Sequence, residues 1–119
     1  MKTSKDPRHK KRQSIIQELF SRGFQDQKVS LDTENVIKNT DLIDKQIKSS
    51  APDFPVNKIN RVDLAILRLA IYELLIEKNA PKNVIIDEAV ELAKEFGSDA
   101  SPGFVNGVLG HIINYDRSS

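Results

Sequence analysis

The chain has 119 residues, no cysteine and a formal net charge of +1, with 39% hydrophobic and 29% charged residues. That length supports one domain around one core, and the missing thiol excludes a disulfide, a thiolate zinc site and a cysteine nucleophile. No apolar run approaches the ~18 residues of a membrane span, and the basic start lacks the apolar segment of a signal peptide, so a soluble cytoplasmic protein with no membrane partner is expected.

The small net charge hides an asymmetry. Residues 1–28 hold eight lysines and arginines against three acidic residues, while residues 29–119 hold ten against fourteen. A basic end on a mildly acidic body suggests two different partner surfaces. Composition alone leaves open a nucleic-acid contact or a solubilising tail.

In chain order, Lys2 to Lys5 are expected to be loose. Asp6-Pro7 reads as a cap followed by proline in the first turn. The helix it opens has an apolar stripe of Ile15, Ile16, Leu19 and Phe20, and Gly23 is expected to end it. Its first turns carry Arg8, His9, Lys10, Lys11 and Arg12. Cations there oppose the helix macrodipole by ~0.3–1 kcal/mol each. An external anion bound at the same helix end would offset that cost; a frayed, solvated tail is the other reading.

Residues 24–31 read as a loop. Ser30, Asp32 or Thr33 caps a second, outer helix that is expected to run unbroken to about Ser49, with a stripe of Val36, Ile37, Thr40, Ile43 and Ile47. Pro52 and Pro55 break it, and Phe54 is expected to staple that loop to the core. The most apolar helix comes next. Val62, Ile66, Leu67, Leu69, Ala70, Leu74 and Leu75 recur at helical spacing, with Ile71 and Ile76 beside them, so other helices surround it. A further helix over about 83–96 stops at Gly97, expected in the left-handed exit conformation. The last starts at Ser101-Pro102, a capping hydroxyl followed by proline. The fold class is all-α.

Chemistry is sparse. There is no phosphate-cradling glycine loop, no ligand spacing between His9 and His111 for a metal, and no recognisable catalytic arrangement. Asp87, Glu91 and Glu95, with Glu88 alongside, share a helix face. That face suits acid–base work or, as the favoured reading, plain solvation near a helix N-terminus; Glu73 and Glu77 are read the same way. Phe104 stands in the first turn of the last helix, either buried or exposed as a stacking surface for an unpaired base. Asn106 bonds a helix end or an external group. Gly107 is read first as a point of tight helix packing.

Three blocks resemble a known family in order and spacing. They are Arg61-Val62-Asp63 with Ile66-Leu67-Arg68-Leu69-Ala70-Ile71-Tyr72-Glu73-Leu74, then Pro81, Val84 and Asp87-Glu88-Ala89-Val90-Glu91-Leu92-Ala93-Lys94 with Phe96-Gly97, then Phe104-Val105-Asn106-Gly107-Val108-Leu109. Together they look like the C-terminal half of the bacterial transcription antitermination factor NusB family, over about half the chain. The basic cluster leading into Glu18-Leu19-Phe20 is a weaker N-terminal match.

The resemblance implies a helical bundle of two packed helical subdomains, here a single RNA-binding domain over 1–119 with a basic part at 1–50 and a C-terminal part at 51–119. It implies a non-catalytic factor without cofactor or metal that binds boxA, a short single-stranded RNA of ribosomal RNA leaders. The implied partners are the ribosomal protein NusE, then NusA, NusG and RNA polymerase. Arg8, His9, Lys10 and Arg12, with Lys11 less directly, match the RNA arm, and Phe104 matches the RNA-contacting aromatic. Asn106 joins Phe104 as a candidate RNA residue, and Asp63, with Glu73 beside it, is the candidate NusE contact. The cationic helix and the ring of Phe104 are expected to meet on one outer face.

Three departures accompany the match. The chain is short in its first half, Gly103 stands where a lysine often does, and His9 and Lys10 replace arginines, so RNA binding is expected to be weaker or more salt-sensitive. Two alternatives are a NusB-like module of a ribosomal RNA methyltransferase system, for which no catalytic part is expected beyond Ser119, and a homodimer that hides the RNA face.

Overall fold

The computed structural model describes residues 6–21 and 28–118, with side chains to Asn114. The expectations for Lys2–Lys5 and Gly23 lie outside those residues. The first helix, α1 (Pro7–Ser21), begins where the sequence signals it. Asp6 Oδ1 accepts the Arg8 backbone N–H at 2.9 Å, satisfying a donor that the helix leaves open. Ile15 and Ile16 are buried and Leu19 packs beside them.

Ser30 is the working cap of α2 (Leu31–Lys38), its hydroxyl accepting the Thr33 N–H. Glu18 of α1 ties the same turn down, accepting from the hydroxyls of Ser30 at 2.8 Å and Thr33 at 2.5 Å. Those donors, Thr33 first, hold the Glu18 carboxyl below its ordinary range although burial opposes them. The expected single helix to Ser49 is in fact two, because α3 (Thr40–Ser50) starts afresh after Asn39. The Asn39 amide donates to Asn35 O at 2.8 Å and the Thr40 hydroxyl to Ile37 O at 2.7 Å. Short polar side chains of this kind compete with the helix for its own backbone groups.

A single 3₁₀ turn, Val56–Lys58, leads to α4 (Arg61–Tyr72). Asn60 caps α4 by accepting from the N–H of Val62 at 2.8 Å and of Asp63 at 3.4 Å. Ala65, Ile66, Leu67, Leu69, Ala70 and Ile71 are all buried. Helix α4 then widens into a π-helical turn, Glu73–Glu77, that ends on left-handed Lys78 (φ 56°, ψ 35°). Asn83 to Ile86, the nearest thing to a strand in the sequence, belongs to α5 (Lys82–Phe96). The last helix is α6 (Ser101–Ser118).

The α5–α6 corner works differently from the expectation. Gly97 is extended (φ −96°, ψ −167°) rather than left-handed, so its need for glycine is steric. A Cβ there would sit 2.5 Å from Ser101 Cβ and 2.8 Å from the Ala93 carbonyl. The buried Ser101 hydroxyl turns back to accept the Ser98 N–H at 2.9 Å instead of capping its own helix.

Helix α4 is the hub, packing on α1, α2, α3, α5 and α6, while α6 also lies along α3 and α5. One apolar core runs through the three helices before the Pro52–Pro55 break and the three after it, from Ile16 and Ile47 to Leu67, Leu92 and Leu109. No strand occurs among the described residues, and no helix among them is long and apolar enough to cross a membrane.

Candidate functional site

The five basic residues at the start of α1 divide by face. Arg8, Lys10 and Lys11 are exposed, whereas His9 is buried and Arg12 is nearly so. The division follows helical spacing: His9, Arg12, Ile16 and Leu19 recur at i, i+3, i+7 and i+10, on the inward stripe.

His9 sits between two carboxylates of α5. Its Nδ1 lies 3.3 Å from Glu88 Oε1 and its Nε2 lies 2.6 Å from Glu95 Oε1. A neutral imidazole donates from only one nitrogen, so satisfying both oxygens requires the imidazolium. Burial pulls the ring toward neutrality, but hydrogen bonds to Glu88 and Glu95 outweigh it and raise its pKa above the ordinary histidine value. Arg12 forks onto Glu73, with Nε at 2.8 Å and Nη2 at 2.7 Å, and gives Nη1 to Glu88 at 2.9 Å. Bidentate pairs of this kind are among the strongest side-chain bonds. His9 and Arg12 fasten α1 to α5 and to the π turn. Carboxylates of the protein itself, Asp6, Glu73, Glu88 and Glu95, stand against Arg8, His9 and Arg12.

The acidic face of α5 is accordingly not all solvated. Asp87 and Glu91 are exposed, but Glu88 is 3% exposed and Glu95 is bonded to both His9 and Gln13. The signal was available, since Glu88 falls between Ile85 and Leu92 at i+3 and i−4, on the apolar stripe.

A cavity of about 420 Å³ opens beside this network, between α1, α2, the end of α4 and the start of α5. Arg8, Lys11, Asp32, Tyr72, Glu77 and Asn79 are among its lining residues. Lys11 Nζ and Asp32 Oδ2 are 3.4 Å apart, both half exposed. Burial, then the charge of Glu73, pushes the Glu77 carboxyl above its ordinary range. Glu73 also lines the cavity, but both its oxygens are bonded to Arg12. Asp63, in the first turn of α4, is 7% exposed, and its Oδ1 has no hydrogen-bond partner among the described residues.

At the start of α6, Phe104 is half-buried against the core, edge-on to Phe54 with centroids 5.3 Å apart and planes at 67°. Phe54 therefore leans on Phe104 rather than into the core, and is itself 54% exposed. Asn106 is exposed on α6. Gly107 is exposed too, and a Cβ on it would meet nothing within 4 Å, so tight packing is not its reason. The cationic helix start and Phe104 lie on different elements, α1 and α6, that share α4 as a neighbour.

Residues 2–114 match the model of the NusB family. The transcription antitermination protein NusB of Geotalea uraniireducens (strain Rf4) is 47% identical over 79 residues, which is 66% of this chain and only 54% of that protein's length. The NusB of Clostridium novyi (strain NT) is 38% identical over 114 residues, covering 84% of this chain and 86% of that one. Among solved structures, T. maritima NusB superposes with a TM-score of 0.81 at 32% identity, covering 96% of this chain and 93% of that chain.

Proposed function

The chain belongs to the NusB family, and from that premise we propose that it is a non-catalytic, cytoplasmic transcription antitermination factor that binds boxA-type single-stranded RNA. Arg8, Lys10 and Lys11 meet phosphates, Phe104 meets a base, and Asn106 is a further RNA contact. The observation that carries the reading is the division of α1. His9 and Arg12 are committed to carboxylates, and that internal anchoring supports three outward cations on a fixed helix. Phosphate contacts of this kind give affinity that falls steeply with salt.

A basic protein partner, the ribosomal protein NusE, docks at the head of α4. Asp63 supports this, since its buried oxygen without a donor would gain one from such a partner. Because Glu73 is held by Arg12, its part is to position α1 rather than to touch the partner. The NusE-bound form then joins NusA, NusG and RNA polymerase.

Titration of the purified chain with a boxA-like oligonucleotide, with and without NusE and at two salt concentrations, tests the proposal. Salt-sensitive binding that NusE tightens is expected; indifference to RNA even with NusE present defeats it. Lys10→Ala should weaken all RNAs alike, and Phe104→Ala should reduce discrimination between sequences. The reverse pattern would refute the roles assigned.

A further inference from the structure

Phe54 is held by a stiff stretch of chain. Pro52 and Pro55 flank it, each with a ring that fixes φ, and its N–H donates to the Ala51 carbonyl at 3.0 Å. A single exposed apolar side chain needs no explanation. Here, however, the exposed ring is positioned by another aromatic, and the two planes make a corner of 67°. Edge-to-face pairing is a preferred aromatic geometry, so the corner persists without a ligand.

The ground beside the corner is low. Gly103 and Gly107 are exposed on α6, and nothing lies within 4 Å of a Cβ on either. Each glycine in an exposed helix position weakens the helix relative to alanine, and packing does not account for these two. Between them in the sequence stands Phe104. Lys48, in the last turn of α3, and Lys58, at the end of the 3₁₀ turn, are both exposed. Helix α3 packs on that 3₁₀ turn and on α6.

We propose that Phe54 is a second base-contacting residue, and that Phe54 and Phe104 together seat one unpaired base of a single-stranded RNA. A base lying flat on one ring meets the other edge-on. Lys48 and Lys58 supply phosphate contacts from the neighbouring elements. The apolar target is two rings wide, with glycine beside it and lysine on the neighbouring elements, which fits one nucleobase and its backbone better than an apolar protein face. The inference rests on the RNA-binding reading above and adds a residue to that same surface.

The chain contains no tryptophan, so Phe54→Trp installs a single reporter in the whole protein. A boxA-like single-stranded RNA should quench its emission, and an abasic strand of equal charge should not. Anisotropy of labelled RNA reads binding independently. Phe54→Ala should bind roughly 5- to 100-fold more weakly at fixed salt, with an unchanged salt slope, and Phe54→Leu should recover little of the loss. Thermal melts should show both variants folded, since the ring is half exposed. RNA bound equally by the original chain and by Phe54→Ala, without quenching of the tryptophan, overturns this inference and leaves the RNA reading standing. No RNA binding by the original chain overturns both. Loss of NusE binding by Phe54→Ala with RNA binding intact reassigns the ring to a protein surface and overturns it as well.

Discussion

The starts of α1 and α6 make opposite use of their side chains. At the start of α1, charged residues are dense and mostly committed, with His9, Arg12, Glu73, Glu88 and Glu95 bonded to one another. At the start of α6, charge is sparse and the surface is open, with two rings, an amide and bare glycine backbone. The residue types that look most functional in the sequence carry the most structural duty, while the plain-looking end keeps its groups available. Burial, not residue type, separates the two.

Breaking the committed end should have the largest effect. Arg12→Ala leaves Glu73 as a buried carboxylate without its cation and takes one donor from Glu88, and should cost about 3–5 kcal/mol. Urea denaturation measures it, and RNA affinity corrected for the folded fraction should fall far less. At the open end the sensitive point is backbone. Gly97→Ala forces a Cβ against Ser101 and the Ala93 carbonyl and should cost about 1–3 kcal/mol, read by the same denaturation.

Next in size is the pH response of the committed end. His9 has a raised folded pKa because Glu88 and Glu95 favour its charged form over the opposing effect of burial. Its contribution to stability is therefore fully present below the unfolded value of about 6.5 and is lost as pH rises through the folded value. Melting temperature should fall across that window, and His9→Gln should flatten the fall; a profile identical in the two proteins would break the comparison. The smallest effect sharpens it from the other side. Gly107→Ala meets no neighbour and should stabilise the fold by about 0.5–1 kcal/mol, seen as a higher melting temperature.

The helices were legible where periodicity and a terminal signal agree. Asp6-Pro7 starts α1, the apolar stripe over Val62–Leu75 marks α4, and Gly97 comes directly after the last residue of α5. The break at Asn39 was not legible, because an asparagine and a threonine inside an amphipathic pattern act through local hydrogen bonds that leave the pattern unchanged. The conformation of Gly97 was missed for a different reason. Glycine signals conformational freedom or close approach alike, and only the fold reveals that the close approach of Ser101 decides. Of the site, the cationic cluster was visible but its division was not. Facing stripes on α1 and α5 carry charge of opposite sign, and each reads as a solvated surface until the other is set against it.

The π turn after α4 has a consequence for length variation. A regular α-helix advances about 100° per residue, and the wider turn over Glu73–Glu77 accommodates its residues without passing that rotation on to α5. Removing one residue between Leu74 and Lys78 would favour an ordinary helix and swing the start of α5 about its axis, carrying Glu88 out of line with His9 and Arg12. Insertions and deletions are thus damaging here. The hold on α1 is set as much by the count of residues in this turn as by their identity.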